Sequence, residues 1–342
     1  MRVRSLPLLV LLLGCCVAVS ASAAAAERAA DGDAAAAVAN RRMLVCCGLP
    51  GDDRHREQMT AAIQSLITTS QTVLAVPPDQ LTILAGDEVM QTALQPLHSA
   101  TGICTRETLE TALAEAAKTL KPSDAYWVLM IGHSHPYGAE SQFNVAGPDI
   151  NQSGFAQAAA AIECREQVYW LTQPLSGFWI KPLARPGRII ITATEADLEF
   201  TGTEMPYALA AVLDRSADTQ SLDDIDGDGT LSLLDLYLAT NLEINARFRS
   251  IDRLQTEHAQ LDDNGDGRGS EVQQPYLPVE SDEEEEEEDD AEDDEEGEED
   301  DPGTEDAEAV EPIEAPKPAL IQSQNLDGFR SRYVLLEQPA SE

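Results

Sequence analysis

Asp124-Ala125-Tyr126-Trp127-Val128-Leu129-Met130-Ile131-Gly132-His133-Ser134 is the stretch on which the fold turns. From 125 to 131 every residue is apolar or aromatic, with no alternation. A strand of that kind is buried on both faces, as in a parallel sheet covered by helices on each side. Gly132 ends the run and puts a histidine at the carboxyl end of a central strand.

Working outward, short apolar runs predict further strands over 43–47, 81–85, 167–172 and 188–194, the last with three consecutive isoleucines. Helical spacing falls between them. Met59, Ile63, Leu66 and Ile67 share one face of a helix over 55–70. Leu109, Leu113, Ala116 and Leu120 do so over 105–120, with Thr105 as N-cap. Shorter helices are expected over 154–161 and 204–213. The alternation predicts an α/β domain over 41–222, a mostly parallel sheet with helices on both faces. In such sheets ligands gather at the carboxyl ends of the strands. Those ends are Cys47-Gly48, Gly132-His133, residues 172–177 and Thr194-Glu195.

The first 23 residues have a basic start, a short apolar run and an A-x-A sequence at Ala21-Ser22-Ala23, the layout of a signal peptide. The run is shorter than the roughly 20 residues that span a bilayer. The expectation is an exported protein, secreted or periplasmic, without a transmembrane span. Leu12-Leu13-Gly14-Cys15 offers a lipid anchor through Cys15 as the alternative. An Ala-rich spacer follows over 24–40. Cys46, Cys47, Cys104 and Cys164 remain in the mature chain, too few for a disulfide scaffold, and the sequence does not pair them.

The formal charge of −40 is concentrated in one place. Residues 280–314 hold 24 acidic and no basic residues, which leaves 38 acidic against 22 basic elsewhere. No basic cluster exists to neutralise phosphates, so a nucleic-acid partner is not expected. The tract over 279–316 repels itself and is expected to be disordered. A tail over 317–342 regains apolar residues between 320 and 336, a candidate to return to the domain.

Residues 223–278 carry two twelve-residue acidic loops of EF-hand type. In the first, Asp224, Asp226 and Asp228 stand at places 1, 3 and 5, Thr230 offers its carbonyl at 7, Ser232 stands at 9 and Asp235 closes at 12. Calcium is a hard cation that takes six to eight oxygens, and these residues supply oxygen only. Asp at place 12 reaches less far than Glu, so weak binding is expected, with Kd of about 10⁻⁴ to 10⁻³ M. A helix from 233 to 248 leaves the loop. Residues 215–221 interrupt the entering helix. The second loop has Asp262, Asn264, Asp266, Arg268 through its carbonyl, and Ser270. Its twelfth residue is Gln273, for which Glu271 is the possible substitute. The two loops start 38 residues apart, a spacing suited to a pair.

Gly132-His133-Ser134 after the apolar strand, the run 143–149 (Phe-Asn-Val-Ala-Gly-Pro-Asp), Ser176-Gly177 after the next strand and Ile190-Ile191-Thr192-Ala193-Thr194 after that resemble the caspase- and legumain-like cysteine peptidases. Arg54-His55 is similar to the Arg-His near the substrate pocket of legumain-like proteins. The resemblance covers roughly 41–213. It implies a caspase-like fold and a catalytic role for His133. It also implies a cysteine in a Cys-x-Ser-Gly pattern, where this chain reads Pro174-Leu175-Ser176-Gly177. Proline supplies neither a nucleophile nor an N–H.

Two functions follow as expectations. One is an exported calcium-binding protein whose peptidase-like domain is catalytically inactive and serves binding or structure, with an unidentified protein or peptide partner. The other is a calcium-dependent hydrolase that pairs His133 with Cys47 or Ser176.

Overall fold

The computed structural model describes residues 40–197, 199, 201–219, 222–278 and 318–336. The signal segment, Cys15, the spacer up to residue 39, the acidic tract and residues 337–342 lie outside the described residues.

The described residues form ten strands: β1 (Arg41–Cys47), β2 (Leu81–Ala85), β3 (Thr101–Ile103), β4 (Ala125–Ile131), β5 (Ser134–Tyr137), β6 (Glu140–Phe143), β7 (Ile150–Asn151), β8 (Glu166–Leu171), β9 (Arg188–Thr192) and β10 (Gln260–Asp262). Seven of them make one sheet in the order β10-β9-β8-β4-β1-β2-β3. All neighbours are parallel except β10, which pairs antiparallel with β9 in the register Leu261↔Ile191. β5, β6 and β7 form a separate small antiparallel sheet directly after Gly132-His133. The order reverses between β1 and β4, whose registers align Cys47 with Ile131.

The helices are α1 (Asp53–Thr69), α2 (Glu88–Leu94), α3 (Arg106–Thr119), α4 (Gln152–Ala158), α5 (Ile180–Leu183), α6 (Met205–Thr219) and α7 (Leu233–Ser250). Side chains alternate across β1. Met43, Val45 and Cys47 face one core with α1, α6 and α7, while Leu44 and Cys46 face the other with α3, α4 and Trp179. Both faces of the sheet are therefore covered, as the apolar run of β4 requires. Thr105 caps α3 with a reciprocal capping box to Thr108.

Several elements escape the sequence pattern. α2 and β3 are short, and β10 has three residues, so none builds a periodic signal. α6 runs on to Thr219 through the 215–219 stretch read as an interruption. Ser216 is buried there and donates its hydroxyl to the Val212 carbonyl (2.7 Å), so the helix absorbs its polar residue internally.

Residues after 223 share this core. Leu233, Leu234, Leu236 and Leu238 of α7, Leu261 of β10, and Val334 and Leu336 of the tail join the α1/α6 side. The buried guanidinium of Arg41 lies 4.6 Å over Trp127. It donates to the carbonyls of Leu74 (2.7 Å) and Leu335 (3.0 Å), fixing the tail against the start of β1. The tail does return to the domain.

Candidate functional site

At the order reversal, Arg54-His55 and Gly132-His133 are brought together. Asp52 caps α1 by accepting from the His55 N–H (2.8 Å), which sets His55 in the first turn. The His55 ring stands edge-on to His133, with centroids 4.9 Å apart. A nitrogen of His133 lies 3.1 Å from the Pro50 carbonyl. Burial pushes the His133 pKa down, against the lift from that carbonyl. His135 turns elsewhere, to the Asn144 side-chain oxygen at 2.7 Å. Neither His133 nor His135 joins a group of three metal-ligating side chains among the described residues.

Cys47 and Ser176, the side chains expected to work with His133, are both buried. Cys47 is fully buried, with its sulfur 4.0 Å from that of Met59, and burial raises its thiol pKa far above the usual range. Ser176 is also fully buried, and its oxygen accepts from the N–H groups of Ala193 (3.0 Å) and Thr194 (3.2 Å). It ties the loop after β8 to the end of β9. Leu175, beside Pro174, adopts a left-handed backbone at φ 58°, which is rare for a branched side chain. Cys164 precedes β8, at the amino edge of the sheet.

The first loop is a ring of hydrogen bonds around three carboxylates. Asp224 accepts at Oδ1 from the N–H of Gly227 (2.8 Å) and Asp228 (3.1 Å), and at Oδ2 from Gly229 (3.0 Å). Gly227 and Gly229 have φ of 75° and 86°, the left-handed turns that glycine allows. Asp228 Oδ1 accepts from the Thr230 N–H (2.8 Å) and hydroxyl (2.6 Å). Asp235 closes the ring. Its Oδ1 accepts from the Ile225 N–H (2.8 Å), and its Oδ2 from the N–H (3.0 Å) and hydroxyl (2.8 Å) of Ser232, which caps α7. One carboxylate oxygen each of Asp224, Asp226 and Asp228 lies within 4.8 Å of the others.

Asp226 is the residue left unsatisfied. It is 3% exposed, and its Oδ2 has no hydrogen bond. Burial, reinforced by Asp235, pushes its carboxyl up to about 6. Burial also raises Asp235, against the Ser232 hydrogen bonds. Burial opposes ionisation of Asp228 too, but hydrogen bonds from Thr230 and Arg332 outweigh it and hold that carboxyl below its usual value. The cation beside Asp226 Oδ2 is the Arg332 guanidinium, whose Nε lies 3.4 Å from it. Asp224, Asp226 and Asp228 thus make a group of three carboxylates close enough to hold a metal ion, whereas the side chains of Ser232 and Asp235 are engaged with each other and with the loop backbone.

The second loop repeats the first half of the ring. Asp262, the last residue of β10, accepts from the N–H of Gly265 (2.8 Å) and Gly267 (2.9 Å). Asn264 accepts from Asp266, and Asp266 from Arg268, both at 2.8 Å. The closing half differs. Gln273 is buried, accepts from the Tyr237 hydroxyl and donates to the Ala259 carbonyl (3.0 Å), so it faces away from the loop. Glu271 accepts from Gln274 at the surface and does not close the loop either. Asp327 of the tail arrives instead, accepting from the Ser270 hydroxyl and from the Asp263 N–H (3.2 Å). Burial raises Asp327, and burial pushes Asp262 and Asp263 up to about 6, with Asp327 adding to both.

The two loops do not pair with each other. Ser232 of the first bridges Leu335 of the tail, whereas Leu261 bridges Ser270 within the second. Arg332, also from the tail, reaches Asp228 Oδ2 from Nε and Nη2 at 3.1 Å. Asp327 and Arg332 had no signal in the loop spacing, because both lie beyond the acidic tract. Glu195, Glu199 and His258 form a second group of potential ligands, with ligand atoms within 4.8 Å. There His258 is ion-paired with Glu199, whose hydrogen bond raises the imidazolium pKa.

The described residues include no helix long and apolar enough to cross a membrane. The sequence matches no known protein-family profile and no curated protein.

Proposed function

We propose that this is an exported calcium-binding protein whose α/β domain is caspase/legumain-like but serves binding or structure rather than peptide hydrolysis. The observation that carries the calcium reading is the convergence of one carboxylate oxygen each from Asp224, Asp226 and Asp228 within 4.8 Å, in a loop where Asp226 is buried and its Oδ2 makes no hydrogen bond. Calcium at the first loop binds the folded chain and not the unfolded one, so it stabilises the fold by mass action, by about 2.7 kcal/mol at a hundred times Kd. At the second loop Asp262, Asn264, Asp266, the Arg268 carbonyl and Ser270 are the matching donors, with Asp327 in the closing role.

The loss of peptidase chemistry rests on Pro174 at the family's cysteine place, on the burial of Cys47 and on the hydrogen bonds that engage Ser176. The hydrolase reading, His133 with Cys47 or Ser176, would require one of these side chains to leave its buried position. An unidentified protein or peptide remains the proposed partner, seated at the carboxyl edge where His55 and His133 meet.

The test is calorimetric titration of calcium into the metal-stripped full chain, with the D226A/D228A double variant alongside. Binding near millimolar Kd that disappears in the double variant supports the reading. No heat and no shift in Tm at several millimolar calcium refutes it.

A further inference from the structure

The tail segment 318–336 lies across the first loop and delivers a cation to it. Arg332 Nε and Nη2 stand 3.1 Å from Asp228 Oδ2, and Nε stands 3.4 Å from Asp226 Oδ2. The third nitrogen, Nη1, donates to the Ile321 carbonyl at 2.6 Å. The guanidinium is therefore held in a fixed pose, and its side chain is only 11% exposed. The backbone around it is equally fixed. Leu233 N–H donates to the Val334 carbonyl (2.9 Å), and Leu336 N–H donates to the Leu231 carbonyl (3.1 Å). Ser331 donates to Asp263 from both its N–H and its hydroxyl, each at 2.8 Å.

Arg332 thus faces two of the three carboxylates that a calcium ion would use. A guanidinium keeps its charge at every accessible pH and offers only donors. It meets part of the need of Asp226 and Asp228 for positive charge, and it leaves Asp226 Oδ2 without a hydrogen bond. A divalent ion in the ring would lie against this fixed positive charge at short range, in a partly buried setting where repulsion is weakly screened.

The geometry points to Arg332 as a tethered competitor of calcium, which makes segment 318–336 a strap that calcium at the first loop loosens. This rests on the calcium reading of that loop. By linkage the coupling is reciprocal: whatever calcium does to strap docking, docking does to calcium affinity. Val334 and Leu336 are buried in the core, so loosening concerns the Arg332 end and not loss of the whole segment. The titration below distinguishes this loosening from the opposite arrangement. Arg332 could hold the outer oxygens of Asp226 and Asp228 while calcium takes the inner ones, as outer partners do at many metal sites. Calcium and strap would then tighten each other.

The sign of the coupling separates the two. Calcium is titrated by calorimetry into the metal-stripped full chain and into R332M, which keeps an unbranched apolar stem, and R332K, which keeps the charge. Heat that persists in D226A/D228A is assigned to the second loop and subtracted. In parallel, trypsin cleavage after Arg330 is timed with and without calcium. The strap requires R332M to bind at the first loop on the order of tenfold more tightly, R332K to stay near the parent, and calcium to speed cleavage after Arg330 in the parent chain. First-loop binding that is unchanged or weaker in R332M, or calcium that slows the cleavage, overturns the strap and leaves the calcium reading standing. No first-loop heat in any of the chains overturns both.

Discussion

The two acidic loops begin alike and end differently. Asp224 and Asp262 each accept from the residues three and five places on, and both loops turn through glycines at positive φ. These are local hydrogen bonds that the D-x-[DN]-G-D-G spacing imposes wherever it lies. The closing halves part company because different elements follow. Ser232 caps an eighteen-residue helix and Asp235 lies in its first turn, so the closing carboxylate is turned back into the ring. The second loop is entered from β10, pinned to β9, and is left through a single 3-10 turn (Gln274–Tyr276). Gln273 is drawn into the core by Tyr237 and Ala259, and a tail residue fills its place. A twelve-residue pattern thus determines half of such a loop, and the packing of whatever follows determines the other half.

The largest effect expected is from D226A/D228A, which removes two of the three converging carboxylates. First-loop calcium binding should disappear from the titration, together with the calcium-induced rise in Tm. Without calcium the same double variant should also be less stable than the parent, because it strips the mostly buried Arg332 guanidinium of both its carboxylate partners.

Q273E breaks the comparison from the other side. On loop spacing alone it installs the missing closing acid and should strengthen calcium binding. In the structure it buries a carboxylate against the Ala259 carbonyl. It should instead destabilise the fold by about 1–3 kcal/mol, read as a lower midpoint in urea, with no gain in affinity at the second loop.

Glu257 sharpens the contrast between the entries to the loops, since it stands before β10 and holds the start of α6. It accepts from the N–H of Glu204 (2.6 Å) and Met205 (3.0 Å), and burial pushes its carboxyl up to about 8 despite them. Its unfolded value is near 4.3. The folded state therefore holds an extra proton between these values, and the stabilisation present below about pH 4.3 is lost as pH rises through 8. In the metal-free protein Tm should fall from pH 5 to pH 9, and E257Q should flatten that slope. An unchanged slope in E257Q would assign the effect to other groups.

The smallest effect expected is from D327N, which keeps the shape of the residue that meets Ser270 and removes its charge. Second-loop affinity should fall about tenfold, with the first loop unaffected. Equal affinity in parent and variant would mean that Asp327 only ties the tail down.

Much of the fold was legible in the sequence. The uniform apolar runs of β1, β2, β4, β8 and β9 announced a doubly covered parallel sheet, because side chains alternate across a strand and both sides must then avoid water. The Thr105 cap and the heptad-like face of α3 were equally readable, being contacts between residues three and four apart. β3, β10 and α2 were not, since strands of three residues and a helix of two turns are too short to show a period of their own.

The sequence by itself determined the first-half geometry of both loops, the histidine at the end of β4 and the absence of a cysteine at Pro174. Each is either a residue identity or a hydrogen bond spanning at most five residues. Only the tertiary structure decided that Ser176 and Cys47 are buried, that Gln273 faces the core, and that Arg332 and Asp327 reach the loops. Those facts depend on groups up to 104 positions apart in the chain. Such contacts follow from where the sheet, α7 and the docked tail meet, and no spacing rule along the chain encodes them.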